Sequence, residues 1–390
     1  MNGRNSTSET QAFDSDRLRP AAQQPYWADP DLLAQVRDEL SAMPGLVTDD
    51  DVAAFQDVLA QVAAGHAHVL QAGDCAEDPA ECTPTHLARK TALIDLLAGA
   101  MKLGGRKPVV RVGRIAGQFA KPRSRTTEVV NGVELPVYRG HMVNEPDPEI
   151  HARRSDPKRI LLGYWAASGA MDVLRTNRVE APLWTSHEAL LLDYEEPMLR
   201  PTPDGTLLSS THWPWIGERT RQPDGAHVAL LASVVNPVAC KVGPTMTVDE
   251  LLDLVTRLDP ERTPGRLTLI ARMGADRVAE LLPPLVAAVR ATGRQVIWLC
   301  DPMHGNTISV DGRKTRLLHT MIREIEEFQT AARGAGGLAG GLHLEVTPGE
   351  VAECVSDLAE LSEQDRSYTT FCDPRLNPQQ AVRLASAWQG

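Results

Sequence analysis

Four residues scattered along the chain carry the side chains of a divalent-metal site: Cys75, His304, Glu345 and Asp373. A thiolate, an imidazole and two carboxylates form a mixed soft and hard donor set, which suits Mn, Co, Fe or Zn better than Mg or Ca. Their spacing forms no compact motif, and each alone has a plainer role. A lone Cys packs as a small hydrophobe, and Asp373 precedes Pro374 in what reads as a turn.

A second set is cationic. Arg114, Lys121, Pro122, Arg123 and Ser124 lie in one run, Arg111-Val-Gly-Arg-Ile-Ala-Gly-Gln-Phe-Ala-Lys-Pro-Arg-Ser124, while Lys241 and Arg272 each end a separate apolar run. A charge at the end of a buried strand is costly unless it meets an anion, a polar cavity or an ion pair. Guanidinium forks fit carboxylate and phosphate. One such residue is as well explained by a salt bridge; several together favour an anionic ligand. Glu218, in Trp215-Ile-Gly-Glu-Arg-Thr-Arg221, is either a general acid or base beside these cations or a partner of Arg219 or Arg221. Trp213 and Trp215 either pack in the core or wall a pocket.

Residues this far apart meet only if the fold gathers them. Eight short apolar or β-branched runs end in chemically capable residues: His68–Ala72, Pro108–Val112, Leu183–Thr185, Ser209–Ile216, Val238–Lys241, Leu267–Arg272, Val296–Asp301 and Leu342–Glu345. Helical patterns follow most of them, at His86–Leu103, Val248–Leu258, Ala275–Thr292, Lys314–Arg333 and Gly349–Leu361. Thr247 and Glu250 read as a capping box. Strands alternating with helices predict an α/β protein, a (β/α)8 TIM barrel, whose active site lies at the C-terminal ends of the strands. A doubly wound sheet is the alternative, but it wants a glycine-rich phosphate loop after the first strand, and neither GxGxxG nor GxxxxGK[ST] occurs. The 115–182 stretch reads as an elaborated loop plus a helix.

Ahead of the barrel, residues 1–20 are polar and read as disordered. Residues 21–64 read as a helical N-terminal extension with helices near Asp29–Met43 and Asp49–Ala64, the second capped by Thr48 and stopped by Gly65. Residues 65–390 form the barrel.

The net charge of −11 argues against nucleic acid or a membrane surface as the main partner. Met101–Thr127 breaks the trend with eight Lys or Arg and no Asp or Glu. Such an island reads as a small-anion site or as a solvated basic face. Six cysteines without a CxxC, a polar N-terminus and the lack of a long apolar run read as a reduced, cytoplasmic protein.

Several strings, in order along the chain from about Gln23 onward, resemble type II 3-deoxy-D-arabino-heptulosonate 7-phosphate (DAHP) synthases. They are Gln71-Ala-Gly-Asp-Cys-Ala-Glu77, the Arg111–Ser124 run, Trp184-Thr-Ser-His-Glu188, Trp215-Ile-Gly-Glu-Arg-Thr-Arg-Gln222 and Asp224-Gly-Ala-His227. Then follow Asn236-Pro-Val-Ala-Cys-Lys-Val-Gly-Pro244, Ile270-Ala-Arg-Met-Gly274, Asp301-Pro-Met-His-Gly-Asn306, Gly341-Leu-His-Leu-Glu345 and Cys372-Asp-Pro-Arg-Leu-Asn377.

The resemblance implies a TIM barrel that condenses phosphoenolpyruvate with erythrose 4-phosphate, the first step of the shikimate pathway. It implies one divalent metal, Mn2+ or Co2+ first and Fe2+ or Zn2+ as alternatives, on Cys75, His304, Glu345 and Asp373. Phosphoenolpyruvate is matched to Arg114, Glu218, Arg219, Lys241 and Arg272, and the tetrose phosphate to Lys121, Pro122, Arg123 and Ser124 with Trp215 nearby. Glu218 or Lys241 moves the proton. If Cys75 and Asp373 share a metal, Cys372 comes near enough to Cys75 for an oxidised pair.

Between Arg125 and Trp184 the chain is shorter than the plant and mycobacterial members and lacks their extra helices. It is most similar to the short forms of phenazine and other antibiotic pathways, which implies reduced feedback inhibition and a homodimer. A metal hydrolase fits the ligand types but leaves the two cation clusters unexplained, and two further readings compete. One is an amino-DAHP synthase using an imino or amino tetrose. The other is a non-catalytic partner protein, which would have lost at least one of these residues; none is missing.

Overall fold

The computed structural model describes residues 19–176, 182–363 and 368–390. Residues 1–18 of the segment expected to be disordered lie outside the described residues.

Eight parallel strands close into a barrel: β1 (His68–Gly73), β2 (Val109–Arg114), β3 (Trp184–Glu188), β4 (Trp213–Ile216), β5 (Val238–Val242), β6 (Leu267–Ala271), β7 (Ile297–Cys300) and β8 (Leu338–Glu345). Each pairs with its neighbours in sequence, and β8 pairs with β1 from Val69↔Gly341 to Gly73↔Glu345. Closure there requires a glycine, because a Cβ at Gly341 would lie 1.8 Å from the Val69 carbonyl oxygen. The expected TIM barrel is thus the observed fold. All eight expected strands form, with shifted ends. The fourth is shortened because Ser209 bonds elsewhere, its amide to Met198 and its carbonyl to the amides of Leu46 and Val47.

Among the described residues, the α-helices longer than one turn are α1 (Pro30–Ser41), α2 (Asp49–Ala63), α3 (Pro84–Gly105), α4 (Lys158–Thr176), α5 (Ala226–Ser233), α6 (Val248–Leu258), α7 (Val278–Ala291), α8 (Leu318–Gly334) and α9 (Pro378–Ser386). At α2 the Thr48 hydroxyl accepts from the Asp51 amide and the Asp51 carboxylate accepts from the Thr48 amide, the full capping box. At α6 the structure shows the half in which Thr247 accepts from the Glu250 amide. The apolar face of α2 (Phe55, Leu59, Val62) packs in one cluster with Val69, Trp184, Trp213, Ile270 and Leu299 of the strands. Phe55 lies 5.0 Å from the Trp184 ring and 5.6 Å from that of Trp213. Burying each such side chain contributes about 1.5–3 kcal/mol, so the extension is part of the barrel core.

Two expectations need correction, and one helix was not expected. The helix expected at Gly349–Leu361 does not form: its apolar residues serve a loop in which Val355 bridges Leu317 and the Glu353 carboxylate binds Arg375, with a short 3-10 turn at Leu358–Glu363. The helix expected from Lys314 begins at Leu318, after a hairpin of Ile308–Val310 and Arg313–Thr315. The unforeseen α9 packs on α3. The 115–182 stretch holds the hairpin Thr127–Val130/Val133–Pro136 and α4. Among the described residues, no helix is long and apolar enough to cross a membrane.

Candidate active site

The C-terminal strand ends open into a cleft of about 320 Å3. Lys121, Pro122, Arg123 and Ser124 line it from the loop after β2, Glu188 from β3, Glu218 and Arg219 from beyond β4, and Lys241 from β5. Arg272 follows β6, His304 follows β7, and Asp373 enters from the C-terminal segment. The loop bearing Lys121 is fixed by Glu77, whose buried carboxylate accepts from the amides of Ala116, Gly117 and Gln118 at 3.2, 3.0 and 2.8 Å.

On one side, ligand atoms of His304, Glu345 and Asp373 lie within 4.8 Å of one another. Burial alone would raise the Glu345 carboxyl, but His304, Arg316 and Lys121 more than offset it and hold it well below the usual range. Arg316 pairs with Glu345 at 2.9 Å, and Lys121 sits 3.7 Å from both Glu345 and Asp373. His304 Nδ1 donates to Asp301 Oδ2 at 2.7 Å, and its Nε2 lies 3.3 Å from Glu345 Oε1. A carboxylate that holds the far nitrogen of an imidazole is the usual support of a metal-bound histidine. This donor set therefore fits a divalent transition metal. Cys75 adjoins the three without entering their 4.8 Å group: its Sγ accepts from the Asp373 amide at 3.5 Å. A hydrogen bond with Cys372 brings its thiol down to about 6 against burial, and both cysteines are free.

The other side is cationic. Lys241 Nζ lies 2.5 Å from Asp301 Oδ2, the oxygen that also receives His304. Burial lowers the Lys241 ammonium to about 8, against the pull of Asp301. Arg114 and Trp215 do not line the cleft but lie buried beneath it, with Arg114 Cζ 5.3 Å from the Trp215 ring centre. Arg114 Nη1 is 3.1 Å from His343 Nε2. Burial holds His343 well below its ordinary value, hence neutral, so its Nδ1 donates to Gln71 at 2.6 Å and its Nε2 accepts from Arg114. Gln71 in turn donates to Ser186, which donates to the Gly113 carbonyl. The chain of bonds holds the guanidinium in one orientation. Among the described residues, Nε of Arg114 and of Arg272 is buried without a partner, a donor left for a ligand.

Glu218 pairs with Arg221 at 3.0 Å rather than with Arg219. Arg219 instead donates to Ser124 at 2.7 Å, joining the two cation groups. Arg123 pairs with Glu128 at the rim at 3.3 Å. Glu188 has one oxygen buried without a partner, and burial raises its carboxyl despite Lys121 and Lys241 nearby. A Cβ on Gly217 would lie 1.9 Å from that oxygen, so any larger residue there would push the Glu188 carboxyl aside.

Sequence reasoning missed Glu188, Asp301, Arg316, Gln71 and His343. Glu188 ends β3 and Asp301 directly follows β7, positions of the same kind as the selected Arg114, Arg272 and Glu345. Gln71 and His343 gave no such signal, since their pairing spans 272 positions.

Comparison with known proteins adds the following. Residues 11–181 and 177–388 match the model of the Class-II DAHP synthetase family. The chain is 54% identical over 378 residues to a probable phospho-2-dehydro-3-deoxyheptonate aldolase of Pseudomonas fluorescens, covering 95% of this chain and 94% of that one. It is 39% identical to the phospho-2-dehydro-3-deoxyheptonate aldolase AroG of Mycolicibacterium smegmatis, covering 96% and 93%. That second alignment runs 436 positions against 390 residues here, so at least 46 positions stand opposite gaps in this chain. A solved phospho-2-dehydro-3-deoxyheptonate aldolase from Francisella tularensis shares the fold, with a TM-score of 0.52 at 12% identity over 92% of this chain and 97% of that one. The match over nearly all of its length shows that the chain is an enzyme of the Class-II DAHP synthetase family.

Proposed function

We propose that this cleft condenses phosphoenolpyruvate with erythrose 4-phosphate and water, giving DAHP and inorganic phosphate. The observation that carries the reading is the meeting, in one cleft, of the His304–Glu345–Asp373 group with two sets of cations. A divalent metal on these three and Cys75, Mn2+ or Co2+ in this reading, supplies Lewis-acid polarisation of the tetrose aldehyde. Lys241, Arg272 and the underlying Arg114 hold phosphoenolpyruvate, while Lys121, Arg123 and Ser124 hold the tetrose phosphate, with Arg219 between them. Fixed cations offset the repulsion of two anions held side by side. C3 of phosphoenolpyruvate then attacks the aldehyde carbon, water adds at C2, and phosphate leaves with C–O cleavage. Both proton carriers named from sequence are ion-paired, Glu218 with Arg221 and Lys241 with Asp301; Lys241 is the one whose ammonium burial brings down to about 8, within reach of neutral pH.

The same reading makes the chain a cytoplasmic homodimer that supplies a secondary pathway of the phenazine kind with little aromatic feedback; what supports the reduced feedback is the set of positions that stand opposite gaps in the alignment with the mycobacterial relative. The test is to strip metal with a chelator, then follow loss of the enol absorbance and formation of a seven-carbon 2-keto acid phosphate, with and without Mn2+ or Co2+. Metal-dependent turnover is expected, unchanged by phenylalanine, tyrosine or tryptophan. A folded, metal-binding protein that turns over neither substrate refutes the reading.

A further inference from the structure

We propose that Glu324, on α8 and outside the cleft, is a positioning residue that holds the Arg272 loop and the His304 loop at a fixed separation. The inference rests on the roles just assigned to Arg272 and His304. Glu324 is 1% exposed. Its Oε1 accepts from the amide of Gly274, two residues after Arg272, at 2.8 Å. Its Oε2 accepts from Asn306 Nδ2, two residues after His304, at 2.6 Å. Asn306 closes the link by accepting from the Ala275 amide at 3.0 Å and donating to the Pro302 carbonyl at 2.7 Å.

The two loops press backbone to backbone. A Cβ on Gly305 would lie 2.4 Å from the Gly274 nitrogen, and Gly274 adopts φ +87°, a conformation that favours glycine. The Arg272 guanidinium donates to the His304 carbonyl at 3.2 Å, so the anion-binding group and the imidazole are carried on one joined unit. The carboxyl group bonding both halves enters from the helix layer and does not line the cleft. Displacement of about 1 Å in a supporting shell is enough to cost catalysis heavily.

The test is a double-mutant cycle. Glu324→Gln keeps an acceptor for Gly274 but turns an amide N–H toward Asn306, and Asn306→Ala removes the other half of the contact. Calorimetric Mn2+ affinity without substrates is measured beside the KM values of both substrates, with thermal melts confirming folding. Expected for each single variant is a roughly 10-fold weaker Mn2+ affinity and a similar rise in KM for phosphoenolpyruvate, as for outer-shell partners generally. The KM for the tetrose should stay within about twofold, and the double variant should resemble the singles, as residues sharing one contact do. Unchanged Mn2+ affinity and phosphoenolpyruvate KM, or additive losses spread over both substrates, overturn the proposal. Arg272→Ala and His304→Ala are run alongside: if these leave phosphoenolpyruvate KM and Mn2+ affinity intact, the site assignment itself fails, whatever Glu324 does.

Discussion

Replacing Asp301 by Asn removes one charge and leaves no arrangement of the new side chain that satisfies its neighbours. Oδ1 of Asp301 accepts from the amides of Met303 and His304 at 3.1 and 3.2 Å, and Oδ2 accepts from Lys241 and His304 Nδ1 at 2.5 and 2.7 Å. If the amide oxygen of Asn stays with the backbone, its NH2 faces an ammonium and an N–H donor. The imidazole can answer only by moving its proton to Nε2, the nitrogen that faces Glu345 and is needed for a metal. Each hydrogen bond to a charged group contributes about 1.5–3 kcal/mol, so losing both puts about 3–6 kcal/mol at stake. Loss of an imidazole's supporting carboxylate generally weakens metal binding about 10- to 100-fold. Calorimetric titration of the metal-free protein with Mn2+ should therefore show a dissociation constant raised by at least about 10-fold, with phosphoenolpyruvate KM raised as well, because Lys241 loses its buried partner. An Asp301→Asn protein that binds Mn2+ as tightly as the wild type would show that Asp301 does not set the His304 tautomer.

Two further predictions concern the cations. Because burial lowers Lys241 to about 8, kcat/KM for phosphoenolpyruvate should fall as pH rises through about 8, since this quantity reports groups of the free enzyme; Lys241→Arg should move that limb upward, and a flat profile to pH 9 refutes the assignment. Stability responds with the opposite sign: above about 8 the folded lysine is neutral while the unfolded one still holds its proton, so this group stabilises the fold as pH rises toward the ordinary lysine value. Arg123→Ala should raise the KM for the tetrose by about 10-fold, the loss of one charged hydrogen bond, and raise that for phosphoenolpyruvate less; steady-state kinetics showing the reverse would exchange the two anion sites.

Much of the barrel was legible because parallel strands buried on both faces leave continuous apolar runs, such as Leu267–Ala271, each ending in a polar residue. The Gly349–Leu361 helix misled because Val351, Cys354, Val355 and Leu358 keep a helical rhythm, yet Glu353 and Val355 are claimed by Arg375 and Leu317. Tertiary contacts overrode local preference there. α9 announced itself with Asn377, Pro378 and Gln380, a capping box with Pro at the first helical position, and could have been found. In the site, the metal-ligand types were visible but spacing alone did not join them; the family resemblance did. Trp215, which the sequence left as core or pocket wall and the motif set near the tetrose, is buried with its ring 5.3 Å from the Arg114 guanidinium carbon. Side-chain direction across a barrel depends on register, which the local string does not contain.

The C-terminal segment crosses back to the start of the barrel. Arg375 pairs with Asp74 at 2.8 Å, Leu376 donates to the Glu345 carbonyl at 3.0 Å, and the Trp388 ring meets His68 at 5.4 Å. During synthesis, all eight strands leave the ribosome before Asp373 does. The carboxylate that completes the His304–Glu345–Asp373 group is therefore made last, and a segment that docks beside β1 and β8 brings it into place. Asp373 reaches the cleft because Leu376, Leu384 and Trp388, all fully buried, hold the C-terminal segment against β1 and α3, so the helix layer and the reaction cleft share one anchor.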